Sequence, residues 1–249
     1  MAILSNMRVA GVAAAALTIV SFPARAADSN AELADIAARI DYGYYAGDER
    51  VIAGARADLE RLPSAAGANA YYLGYSAYRL SQLQAPQNRA RRELLSGCID
   101  SARTALVDRD WTLEAWILIA ACSVEGLEHE PVRVLSHDLR LTEALAAARA
   151  LSQDHPRLLL VEALAEQNHD ADAGQLRTQL VRARERFDAW QSHGIEPDWG
   201  RAEVLVELAE IHLKDGERRE ARDLVEQALI EAPGYRFALE IKNRLSLTH

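Results

Sequence analysis

The chain has 249 residues, 49% of them hydrophobic, with 28 basic and 37 acidic side chains and a net charge of −9. That acidic balance argues against nucleic acid and anionic lipid as partners, since both are bound through clustered Lys and Arg. The length suits one ordinary domain or one extended array.

Residues 1–26 read as a secretory leader. Arg8 supplies a positive start, "VAGVAAAALTIVSF" is an apolar run, and Ala24 and Ala26 form an A-x-A cleavage pattern. Cleavage after Ala26 is expected, and the bacterial style of the leader points to the periplasm. The apolar run is short for a membrane span, and no cysteine follows it to carry a lipid. The leader holds Arg8 and Arg25 and no acid, so the remaining 223 residues keep 26 basic and 37 acidic side chains, a charge of −11. No later segment is apolar enough to span a bilayer, so no membrane insertion is expected after cleavage.

From residue 27 to 249 strand signals are nearly absent, and apolar residues recur at i, i+3, i+4 and i+7. Prolines and short polar clusters divide this pattern into about eleven helices. Seven of the eight tyrosines fall between positions 42 and 78, in "IDYGYYAGDERVIAGARADLERLP" and "NAYYLGYSAYRL". The insert "QAPQNRARRE" follows, a basic patch on a turn. Next come "CIDSARTALVDRDW" and "LEAWILIAACS", which carry the two cysteines, Cys98 and Cys122. Each lies twelve residues from Asp110, on opposite sides of a turn. Antiparallel helices would bring them to the same height, so proximity is expected and a disulfide is one outcome; two buried thiols are the other.

"SVEGLEHEPVRVLSHD" reads as a long inter-helix turn, with Ser136 or Asp138 capping a helix that begins near 138. Its Glu125, Glu128, His129, Glu130, His137 and Asp138 are ligand types for a divalent ion, but their spacing matches no closed site. His169 and Asp170 read as a polar turn. Arg182, Arg184 and Arg186 spread around one helix as a solvated face. No nucleophile elbow, P-loop, zinc-protease helix or paired-cysteine motif is present. Accordingly no catalytic residue, metal ligand or cofactor is assigned, and the chain is not expected to be an enzyme.

The clearest unit spans 202–235, "AEVLVELAEIHLKDGERREARDLVEQALIEAPGY". Leu205, Leu208 and Ala209 face Ala221, Val225, Ala228 and Leu229 across a turn at Gly216, and Pro233 ends it. This unit resembles the tetratricopeptide (TPR) repeat, and stretches around 70–77, 98–123 and 144–156 carry the same spacing. The resemblance implies an all-α, right-handed TPR-like solenoid of about five helix pairs plus a C-terminal capping helix. Each pair would bury its apolar face only against its neighbours.

In such an array first-helix residues either pack or face the concave surface. That places Tyr71, Tyr75 and Tyr78 on one concave stripe, with Tyr42 and Tyr45 nearby and Arg79 at its edge. Rings with few rotatable bonds and one hydroxyl suit recognition. The expected function is a non-catalytic protein- or peptide-binding adaptor or assembly scaffold. Two alternatives stand beside it: a structural subunit of an envelope complex, bound by its convex face, and a metal-assisted hydrolase built on 125–138. The rings could also simply fill gaps between helices.

Overall fold

A computed structural model describes residues 24–62, 66–85, 88–129, 134–167 and 172–247. Residues 1–23, with most of the expected leader, lie outside these, as do Glu130, His169 and Asp170.

The described residues are all-α. They form five consecutive helix pairs: α1 (Ala24–Ala46) with α2 (Glu49–Arg61), α3 (Ala66–Leu83) with α4 (Arg89–Ala105), α5 (Thr112–His129) with α6 (Val134–Leu151), α7 (Pro156–Gln167) with α8 (Ala173–Ala189), and α9 (Arg201–Lys214) with α10 (Arg218–Glu231). A single helix, α11 (Arg236–Ser246), follows the fifth pair. This is the expected α-solenoid with its terminal cap.

Helix ends follow local chemistry. Asp48, Asn88 and Asp172 cap α2, α4 and α8, each accepting a backbone N–H two residues on at 2.9–3.0 Å. Pro156 opens α7, where a missing N–H costs nothing. Gly216 turns between α9 and α10 at φ 81°.

The two helices of a pair differ in character. The second helices are amphipathic: α2 buries Ile52, Ala55 and Leu59, and α10 buries Ala221, Leu224, Val225 and Ala228, along one stripe each. The first helices α3, α5, α7 and α9 are buried on nearly all sides, while α1 keeps an exposed face; in α7 every residue from Pro156 to Val161 is inside. A helix enclosed this way must be covered on two faces, so something besides the second helices packs on the first ones. Gly74 shows how close the layers come, since a Cβ there would sit 3.0 Å from the Cys98 carbonyl oxygen of α4.

The covering element is the chain itself. Residues 190–200, between α8 and α9, cross the inner face. Tyr72 Oη donates to the Ile195 carbonyl at 2.9 Å, and Trp199 Nε1 donates to Tyr71 Oη at 2.9 Å. At Gly200 the chain turns into α9 with φ 114°, in contact range of the Phe187 ring. The array also curls until its ends meet. Tyr44 and Tyr45 of α1 pack against Tyr235, with ring centroids 6.0 and 4.9 Å apart. Arg236 Nη2 of α11 donates to the Gln82 carbonyl of α3 at 3.2 Å.

Two sequence expectations change here. The stretch 123–138 is mostly helix and not a long turn: α5 runs through His129 and α6 starts at Val134, ahead of both Ser136 and Asp138. His137 is buried against Gly126, where any Cβ would collide with its ring. The small residue at 126 is thus what lets α5 and α6 approach.

Cys98 and Cys122 are joined by a disulfide between α4 and α5, with Cα atoms 6.5 Å apart. Ala102, Ala120 and Ala121, all buried, keep the two helices close around it.

Candidate binding site

The tyrosine stripe does not line an open groove. Tyr71, Tyr75 and Tyr78 are buried at 0, 1 and 3% exposure. Trp199 and the inner faces of α1 and α9 cover them, because the segment 190–200 fills the concave face. Tyr45 is half-buried beside Tyr235, and Tyr42 is 64% exposed, away from the other rings. The shared concave stripe of five rings is therefore corrected. Of the five, Tyr75 and Tyr78 meet at Arg79 instead.

Arg79 is expected at the groove edge and lies in the core, 1% exposed. Its guanidinium carbon is 3.9 Å from the centroid of Tyr44, 5.1 Å from Tyr75, 5.3 Å from Tyr78 and 5.2 Å from Trp199. Desolvated cation–π contacts of this kind are worth about 2 kcal/mol or more. Its Nη2 pairs with Glu203 of α9, Nε donates to Tyr75 Oη at 2.9 Å, and Nη1 donates to Gln82 at 2.9 Å. Tyr75 in turn donates to Asp41 of α1. Glu203 Oε2 also accepts from Tyr45 Oη at 3.2 Å and from the Gly200 N–H at 3.0 Å.

One buried cation thus ties α1, α3, the 190–200 segment and α9 together. Burial alone would lower the Arg79 pKa, but Tyr75, Glu203 and the other rings outweigh it and hold it well above the usual value. Arg79 stays charged. Burial pushes the Asp41 carboxyl up to about 6, with Glu203 and Asp198 adding to it and Tyr75 and Arg79 opposing it.

A second buried node joins α5 to α7. Arg157 grips Glu114 with two nitrogens, Nε at 3.0 Å, and His155 Nε2 lies 3.1 Å from the same carboxylate. Trp190 covers both, with its ring 5.2 Å from the Arg157 guanidinium and 4.8 Å from His155. Burial alone would raise the Glu114 pKa, but the Arg157 guanidinium and the hydrogen bond with His155 outweigh it and bring the carboxyl down to about 2.

Arg79 and Glu203 lie at one wall of a cavity of about 520 Å³ at the centre of the array. α1, α3, α5, α7, α9 and α11 all reach it, through Tyr44, Tyr78, Val124, Leu164, Val206 and Phe237 among others. Its polar lining is uneven, with three arginines, Arg79, Arg91 and Arg236, against five glutamates. Glu203, Glu207 and Glu210 follow one face of α9 at i, i+4 and i+7. Tyr42 and Tyr45 belong to a separate, smaller cavity of about 330 Å³, with Asp41, Asp198 and Arg201.

The remaining sequence candidates are not brought together. Glu125 pairs with Arg91 of α4, while His137 is tucked against Gly126. Among the described residues no group of three or more His, Cys, Asp or Glu is placed to hold a metal. Arg182 and Arg186 both bind Asp154, and Arg184 reaches Gln227 of α10, so this basic helix is tied to its neighbours on two sides. Glu203, Glu114, Arg157 and the wall of glutamates were missed. A local signal did exist: Arg79 and Arg157 each sit alone on helices that are otherwise small, aromatic or aliphatic around them, in "YSAYRLS" and "PRLLLV".

Comparison of the sequence with protein-family models and with curated proteins finds no match. Among solved structures, one similar chain is described as "Assembly Chaperone of RpL4 (Acl4) (Residues 1-338)". It is 14% identical, with 87% of this chain and 96% of that one covered and a TM-score of 0.41. A likeness of that size carries no functional argument.

Proposed function

We propose that the chain is a TPR-like, non-catalytic adaptor or assembly scaffold of the bacterial periplasm, which holds a protein or peptide segment in the central cavity. The observation that carries this reading is the convergence of six inner helices on one cavity of about 520 Å³. That volume lies within the range of about 300–1,000 Å³ typical of ligand pockets. Its apolar floor and charged wall suit an amphipathic segment. The buried ionic groups support a non-catalytic role. Arg79–Glu203 and Glu114–Arg157 hold helices together, the first pair at the cavity wall and the second in the core. The leader assigned to residues 1–26 supports export.

A photo-reactive residue placed at Gln167, an exposed position on the cavity rim, tests this in the native host. The control carries it at Val107, which is exposed in the turn after α4 and away from the cavity lining. A discrete protein adduct from Gln167 and none from Val107 is expected. Adducts from Val107 alone would favour the convex-face subunit instead.

A further inference from the structure

We infer that the central cavity takes a protein segment that sends large uncharged side chains inward and keeps any charge of its own at the mouth. This rests on the cavity reading above and goes beyond it by fixing the chemistry of the occupant.

The charges of the wall close on one another. Glu203 pairs with Arg79, Glu125 with Arg91, and Glu210 with Arg244. Glu207 is engaged as well. Glu240 is exposed and stands one turn along α11 from Arg236, so the charge of that arginine is offset too. A charged side chain entering the interior would lose its water without meeting a waiting counter-charge, which is costly. Tyr78, Trp199 and Phe237, with Leu160, Leu164 and Val206, offer apolar surface on which an uncharged side chain meets no such cost. Arg236 Nη2 donates to the Gln82 carbonyl, but its Nε is buried with no acceptor. A backbone carbonyl is the neutral acceptor that a protein segment brings with it, and a plain hydrocarbon chain has none.

The chain's own segment 190–200 uses the same mode on the inner face. Trp199 goes in against Tyr75 and Tyr78, with ring centroids 5.9 and 6.1 Å apart. Ile195 gives its backbone carbonyl to Tyr72 Oη, while Glu196 and Asp198 stay exposed. A guest in the adjoining cavity would repeat that division, with rings inside and charges outside.

The test uses the full exported chain and three synthetic twelve-residue peptides with blocked ends, followed by calorimetry. The first carries Phe-Leu-Phe in a background of Ser and Gly, the second replaces that Leu by Lys, and the third replaces it by Glu. The first peptide is expected to bind at least tenfold more tightly than either other. Its binding should show a negative heat-capacity change and an affinity that does not fall as salt rises. Leu164 is a half-buried lining residue, and Leu164→Trp puts an indole into the space the guest needs. That variant is expected to lose at least tenfold in affinity for the first peptide at an unchanged melting temperature. The ranking of the peptides is read on the parent chain and stands even if the variant does not fold. Equal or tighter binding of the Lys or Glu peptide, binding that collapses with salt, or an affinity untouched in a folded Leu164→Trp variant would overturn the inference. Failure of all three peptides to bind would overturn it as well. If the Gln167 cross-link persists in any of these cases, only the chemistry of the occupant is wrong. If that cross-link is absent as well, the cavity reading itself fails.

Discussion

Arg79 and Glu203 are 124 positions apart in sequence and form one buried ion pair. Neither charge has water to return to, so each depends on the other. Breaking a buried pair from one side typically costs about 3–5 kcal/mol, because the remaining charge is stranded. Arg79→Ala is expected to lose that much in urea denaturation. The double change Arg79→Met/Glu203→Gln should recover part of the loss. A single variant as stable as the parent would mean that the pair is hydrated in solution.

Tyr75 makes a similar case without a charge of its own. It is enclosed by Tyr71, Trp199 and Arg79 and donates to Asp41. Tyr75→Ala should cost about 3–5 kcal/mol, as for other buried aromatic truncations. A drop in melting temperature without loss of partner binding at low temperature is expected. Loss of binding at full stability would restore the ring to a recognition role.

Stability should depend on pH through two carboxyls of opposite sense, the half-buried Asp41 and the buried Glu114. Asp41 rises from 3.8 to about 6 on folding. The folded state then holds its proton more tightly, so stability falls as pH rises from about 4 through about 6. Two pKa units set an upper limit of about 3 kcal/mol for this effect. Asp41→Asn keeps an acceptor for Tyr75 and should flatten that part of the profile.

Glu114 falls from 4.5 to about 2. Its contribution is complete above the unfolded value and is lost as pH drops from about 4.5 toward 2. Glu114→Gln should remove that acid-side slope while lowering stability at neutral pH. With both effects present, chemical denaturation across pH should show a maximum near pH 4–5, as these two shifts place it.

The disulfide between Cys98 and Cys122 closes a loop of 24 residues' separation. A loop of that length corresponds to about 3.5 kcal/mol of stabilisation in the chain-entropy account. Denatured, unreduced protein should titrate no thiol, and reduction should lower the melting temperature. Two titrating thiols would show that the bridge does not form.

Much of the fold is legible because helices announce themselves locally. The period of Leu205, Leu208 and Ala209, the facing stripe of Ala221, Val225 and Ala228, and the turn at Gly216 are all readable within a few residues. The stretch 123–138 misleads because Gly126 and its polar neighbours look like a turn. In fact Gly126 makes room for His137. The candidate site is less legible for a different reason. Tyr71, Tyr75 and Tyr78 share a face whether that face meets solvent or a returning strand of chain. Nothing near them in sequence reveals that Trp199 will come back to cover them. Only the lone Arg79 among apolar neighbours hints that a carboxylate must arrive from elsewhere.

The meeting of α1 and α3 with α9 and α11 changes how the array should fold. In an open solenoid each repeat contacts only its neighbours, so stability grows almost additively and end repeats can fray or be trimmed. Here the first and last units share one ionic and aromatic junction, and a defect at either terminus reaches the other. Contacts between such distant positions raise the contact order and slow folding. The five helix pairs should consequently melt as one cooperative unit, and the N-terminal half should remain incompletely formed until the C-terminal third has been made.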